Sequence, residues 1–159
     1  MDLLHEVWEE TEQDGSLGVC LAGPMGRGFR DQLAPGARLV HTFWASSHFD
    51  AASEFHRFAG YEPYTTEHPQ DCEPYSPGWA RIQARFLLAK AARDFLAQRF
   101  SYEQFLSSTR YKPDDDDVAE LLDLLEHEPA MGGLFGASED DHDLYVLDIR
   151  AVIDKLEKE

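Results

Sequence analysis

Between Trp79 and Leu106 the chain reads WARIQARFLLAKAARDFLAQRFSYEQFL, and this stretch sets the architecture of everything after it. Ile82, Phe86, Leu88, Ala89, Ala92, Phe95, Leu96 and Phe100 recur at helical spacing, with Arg81, Arg85, Arg93 and Arg99 between them. The spacing predicts an amphipathic helix with a basic outer face. An apolar stripe of that length must be buried on other elements. The downstream sequence supplies them. Ser101 with Gln104 matches a capping box and opens a short helix over Tyr102 to Ser107, which Lys112-Pro113 breaks. Asp114 to Asp117 open a further helix, with Val118, Leu121, Leu122 and Leu125 as its stripe and Pro129 as its stop. MGGLFGAS reads as a glycine-rich loop. Ser138 with Asp141 signals one more helix start. That helix runs to about Lys155, with Leu144, Leu147, Ile149, Val152, Ile153 and Leu156 predicted to face inward. Four helices with short connections describe this half.

The chain before Trp79 has a different rhythm. Leu3 to Glu10 and Leu17 to Ala22 read as strands joined by a turn at Asp14-Gly15. Residues 28–33 allow one or two helical turns. Arg38 to Ala45 (RLVHTFWA) is a strand rich in β-branched and aromatic residues. Ser46 or Ser47 caps a helix carrying Phe49, Ala52 and Phe55, which Gly60 ends. Residues 61–78 hold four prolines and three tyrosines without periodicity, a linker or an ordered aromatic loop. The expected fold class is α+β: a small β-β-α-β-α unit over residues 1–77, followed by a four-helix bundle-like half over 78–159.

Charge is the second strong signal. The chain carries 31 acidic and 14 basic residues, net −17, a surface that repels nucleic acid and anionic lipid and attracts a basic partner. The distribution is uneven. Residues 79–112 hold seven Arg/Lys against two Asp/Glu, whereas 113–159 hold sixteen Asp/Glu against three Arg/Lys. Two cysteines, Cys20 and Cys72, form no disulfide or metal framework and read as reduced thiols. No apolar run is long enough to cross a bilayer. The acidic opening MDLLHEVWEE lacks the basic head and apolar run of a signal peptide, so the cytoplasm is the expected place.

Several constellations invite a chemical reading. GPMGRG lacks the Gly-Lys-Ser/Thr ending of a phosphate loop and reads as a turn. Ser46, Ser47, His48 and Asp50 lack a nucleophile elbow, and a serine before a helix is a cap. His41, His48 and His56 surround the best strand and its following helix, but the eight-residue spacing of the last two exceeds that of helical metal pairs. An enzyme built on them is the weakest of three readings. Glu126, His127 and Glu128, with Asp140 to Asp143, lack a calcium-loop pattern and read as a solvated charge run. Tyr61, Tyr64, Tyr75 and Trp79 either line a binding surface or pin the 61–78 segment onto the core; pinning is the expected role. No cofactor is expected.

LAKAARDFLAQRFSYEQFL and DHDLYVLDIRAVIDKLEK together resemble the immunity proteins of the colicin D type, small acidic four-helix proteins, over residues 84–158. The resemblance implies a non-enzymatic antidote that covers the cleft of a tRNA-cleaving toxin domain with carboxylates standing where phosphates would sit. The basic partner and the −17 charge fit one another on independent physical grounds. On charge density, the toxin-facing acids are Asp114, Asp115, Asp116, Asp117 and Glu120, with Glu139, Asp140, Asp141 and Asp143. The alternative is a structural or regulatory interaction module in which the first half binds a peptide or small ligand.

Overall fold

The computed structural model describes residues 1–11, 15–128 and 138–158. The turn expected at Asp14-Gly15, the Pro129 stop and most of the MGGLFGAS loop fall at or beyond the edges of those residues. The described residues are mixed α+β, with a three-stranded antiparallel sheet and six α-helices. The chain divides into two compact units, Met1–Gln83 and Ala84–Glu159.

In the first unit, β1 (Leu3–Glu10) is the central strand, flanked by β2 (Ser16–Leu21) and β3 (Arg38–Ala45). Both pairings are antiparallel: Val7 faces Val19 on one side and His41 on the other. The register with β3 shifts between Val7 and Trp8, leaving Val40 as the extra residue of a bulge. Alternation along β1 puts Leu3, His5 and Val7 on one face, and all three are buried. That face is covered by α2 (His48–Ala59), whose Ala51 and Phe55 pack on Val7, Phe43, Ala45, Leu17 and Val19.

Local chemistry fixes the ends. Ser47 caps α2 by accepting from the Asp50 N–H at 3.1 Å. Gly60 closes the same helix at φ 72°, a left-handed conformation that glycine adopts without Cβ strain. The GPMGRG segment forms a 3₁₀ turn and then the single-turn helix α1 (Arg27–Arg30). A Cβ on Gly26 would run into the Leu21 carbonyl, so the segment requires glycine there. Arg30 donates to the carbonyls of Leu21 (3.0 Å) and Gly23 and pairs with Glu6 at 3.1 Å. Its guanidinium holds the turn together. Cys20 and Cys72 are free thiols.

The division between units falls inside α3 (Pro77–Leu96) rather than at its start. Gln83 supplies the physical reason. Its Oε1 accepts from the Leu4 N–H at 2.6 Å, and its Nε2 donates to the carbonyls of Leu4 (2.9 Å) and Ala22 (3.1 Å). Its side chain completes the backbone bonding of β1 and of the chain leaving β2. Gln83→Leu strands those groups without a polar partner and is expected to cost about 2 kcal/mol in chemical denaturation. An unchanged midpoint would show that Gln83 does not hold these strands.

In the second unit, α3, α4 (Tyr102–Leu106), α5 (Asp116–Glu126) and α6 (Glu139–Leu156) share one apolar core. Leu88, Ala89 and Ala92 of α3 meet Phe105 of α4, Leu121 and Leu125 of α5, and Ile149, Val152 and Ile153 of α6. Both expected capping boxes form, at Ser101–Gln104 and Ser138–Asp141. Two expectations about facing are corrected. Arg85 is not on an outer basic face: it is buried, because two carboxylates of the α5 start receive it. Leu144 and Leu147 do not point inward: they are 60% and 56% exposed, and Tyr145 takes the inward position. The 3.6-residue period from Ile149, Val152 and Ile153 leads back to Tyr145, not to Leu144 or Leu147.

Candidate functional site

The acids of the second unit separate into two kinds. Asp115 is the N-cap of α5: its Oδ1 accepts from the backbone N–H groups of Asp117 (3.1 Å) and Val118 (3.3 Å). Its Oδ2 receives Arg85 at 2.5 Å, and the two side chains are 2% and 3% exposed. The other Arg85 nitrogen reaches Asp117 at 3.1 Å and the Lys155 carbonyl at 3.2 Å, in the last turn of α6. A cation there suits the negative end of that helix. Lys155 then pairs with Glu120 at 2.9 Å and approaches Asp117 at 4.0 Å. Glu120, first among its contacts, raises the Lys155 pKa. Asp141 is the capping-box acid of α6, and hydrogen bonds from Ser138 hold its carboxyl below the usual range.

Asp115, Asp117, Glu120 and Asp141 thus have internal partners. Asp114, Asp116, Glu139, Asp140 and Asp143 stand exposed and belong to none of the ion pairs found among the described residues. On α5, Asp116, Glu120 and Asp123 recur along the exposed face, opposite the buried Val118, Leu121 and Leu125. On α6, Asp140, Asp143 and Asp148 lie within one turn of the exposed pair Leu144 and Leu147. That apolar pair within an acidic surround is a feature the sequence reading missed, since it placed both leucines in the core.

The first unit holds a different kind of site. A cleft of about 720 Å³ opens between the sheet, α2, the 70–76 segment and the first turn of α3. Its walls are largely apolar: Val19, Leu21, Ala51, Phe55, Tyr75 and Trp79. Three imidazoles line it, those of His5, His48 and His56. Of the three histidines singled out from the sequence, His48 and His56 reach the cleft. His41 does not line it: it stacks on Phe58 at 4.5 Å and 5°. No group of three His, Cys, Asp or Glu among the described residues could hold a metal ion.

His5 is the best-defined polar group of the cleft. Its Nδ1 lies 3.0 Å from the Leu3 carbonyl, which can only accept, so Nδ1 carries the proton. Nε2 is then the acceptor, and the Tyr75 hydroxyl donates to it at 3.1 Å. Burial lowers the His5 pKa to about 4, against an opposing hydrogen bond to Leu3, with His48 adding to the lowering. Burial likewise raises that of Tyr75 to about 12, and Asp50 adds to it. The pair is therefore a neutral, oriented hydrogen bond at neutral pH. Ring contacts tie the tyrosines to their neighbours, although Tyr61 stays 52% exposed and none of the three belongs to the buried core of the sheet. Tyr64 meets His48 and His56 edge-on, Tyr61 meets Phe55 and His56 edge-on, and Tyr75 stacks on Trp79. A bridge between Ser47 and Pro74 ties down the same segment.

No known protein family matches the chain, and neither a curated protein nor a solved structure matches it. No helix among the described residues is long and apolar enough to cross a membrane.

Proposed function

We propose that the protein is a non-enzymatic acidic binding protein whose C-terminal unit grips a basic protein domain. Its resemblance to colicin D-type immunity proteins makes the nuclease domain of a tRNA-cleaving toxin the partner, and the cytoplasm the place of action. The helices α3 to α6 act as a small bundle that presents this surface.

One observation carries the reading: Leu144 and Leu147 lie exposed on α6 with Asp140, Asp143 and Asp148 around them. Interfaces concentrate their energy in a few apolar anchors, and a charged surround supplies steering and specificity. Phosphate mimicry falls to the acids without internal partners, Asp114, Asp116, Glu139, Asp140 and Asp143. Asp115 caps a helix and neutralises a buried arginine, so it serves the fold.

The test uses a colicin D-type tRNase domain as the basic partner. The combined variant Asp114→Asn, Asp116→Asn, Asp140→Asn, Asp143→Asn is expected to lower the association rate at least about tenfold at low salt. The wild-type rate falls as ionic strength rises. Leu147→Ser is expected to act on dissociation instead, shortening the lifetime of the complex about tenfold. If neither variant changes either rate, this surface is not the interface.

A further inference from the structure

We infer that the cleft of the N-terminal unit is a binding site for a small organic cation with an apolar body, such as an arylalkylamine. The inference concerns a different unit from the protein-binding surface and does not rest on that reading.

Size comes first. A cleft of about 720 Å³ falls within the range that small ligands fill. Its floor, from Val19, Leu21, Ala51 and Phe55, offers apolar contact to the body of a ligand. Trp79 and Tyr75 stack on one another at 6.0 Å along one wall. Trp79 remains 47% exposed, although tryptophan is among the side chains with most to gain from burial. Tyr75 is held in place from the other side by His5, whose ring is itself stacked on Phe43 at 5.2 Å and 7°. The aromatic wall is thus built before any ligand arrives, which lowers the ordering cost of binding.

Charge decides the class. Among the described residues that line the cleft there is no lysine and no arginine, and the one carboxylate is Glu73. An anionic ligand would enter an apolar space without a fixed cation to meet it. A cationic one finds the Glu73 carboxylate and the negative face of the half-exposed Trp79 ring that is not stacked on Tyr75. The unit around it carries 13 Asp/Glu against five Arg/Lys, which raises the local concentration of cations.

The probes are phenethylamine, 3-phenylpropionate and ethylbenzene, which share a ring and differ in the charge they carry. Binding to the full chain is followed by NMR at the Trp79 indole N–H and at the His48 and His56 rings. Phenethylamine is expected to shift the Trp79 indole signal saturably, at least about tenfold more tightly than either other probe. Trp79→Leu is expected to weaken it about tenfold, Trp79→Phe to recover most of that loss, and Glu73→Gln to weaken it several-fold. Trp79 and Glu73 are both exposed, so the variants keep the fold, as the remaining amide spectrum checks. Binding of 3-phenylpropionate or ethylbenzene as tight as that of phenethylamine overturns the cationic class. Absence of any shift at Trp79, or phenethylamine binding unaffected by Trp79→Leu, overturns the site.

Discussion

Asp115→Ala should destabilise the C-terminal unit by about 3–5 kcal/mol, the combined cost of removing the buried carboxylate of an ion pair and the cap of α5. Its neighbour Asp114, exposed at the same helix start, should tolerate alanine within about 0.5 kcal/mol. Three losses coincide at Asp115. The cap of α5 goes, and with it the acceptor for the Asp117 and Val118 N–H groups. Arg85, 3% exposed, keeps its charge but loses its closest carboxylate, with Asp117 and the Lys155 carbonyl among the groups that still receive it. The link between α3 and the start of α5 loosens. Because a domain's whole stability is about 5–15 kcal/mol, the variant can fall close to unfolded at room temperature. Urea denaturation followed by circular dichroism measures the effect. The double variant Arg85→Met, Asp115→Leu provides the control: with both charges gone, much of the loss should return. If Asp115→Ala melts like Asp114→Ala, the buried pair is not a structural element of the unit.

This pair also explains how far the sequence could be read. The DDDD run looked uniform, and charge density alone could not tell a capping acid from a solvated one. The signal was present in a weaker form. An aspartate immediately before the Val118, Leu121, Leu125 stripe is where an N-cap belongs, and an arginine inside an apolar stripe needs an acid. Arg85 and Asp115 lie 30 residues apart, so only the tertiary structure joins them. The strands, the caps at Ser47, Ser101 and Ser138, and the Gly60 stop were legible because each is set by residues within a few positions. The facing of α6 was not. The period from Ile149, Val152 and Ile153 favours Tyr145, but hydrophobicity favours the leucines over the tyrosine, and the two signals conflict. The cleft was legible only in fragments. His48 and His56 share a helix face, but His5, a single polar residue in a strand, carries no signal of a cleft by itself. Its alternation with Leu3 and Val7 already placed it on the buried side.

That placement of His5 gives the N-terminal unit an acid sensitivity. Burial holds its pKa at about 4, well under the ordinary value of 6.5. Between those two values the unfolded chain takes up a proton that the folded chain refuses, so stability rises with pH through this window. The contribution is complete above pH 6.5, is lost as pH falls, and levels off below about 4. The expected loss relative to neutral pH is about 2 kcal/mol at pH 5 and about 3 kcal/mol at pH 4. A proton on Nε2 would also oppose the donor it now receives, so the Tyr75 hydroxyl would have to turn and accept. His5→Phe keeps the ring on Phe43 and the apolar face but cannot titrate. Its urea midpoint should therefore decline less steeply than the wild type's from pH 7 to pH 4, the two curves diverging by the amounts above. Imidazole resonances give an independent reading: the His5 ring should stay neutral at pH 5 in the folded chain. Parallel stability curves, or a His5 ring that titrates near 6.5, would mean that this imidazole is solvated and that the Leu3–His5–Tyr75 chain of hydrogen bonds does not form as drawn.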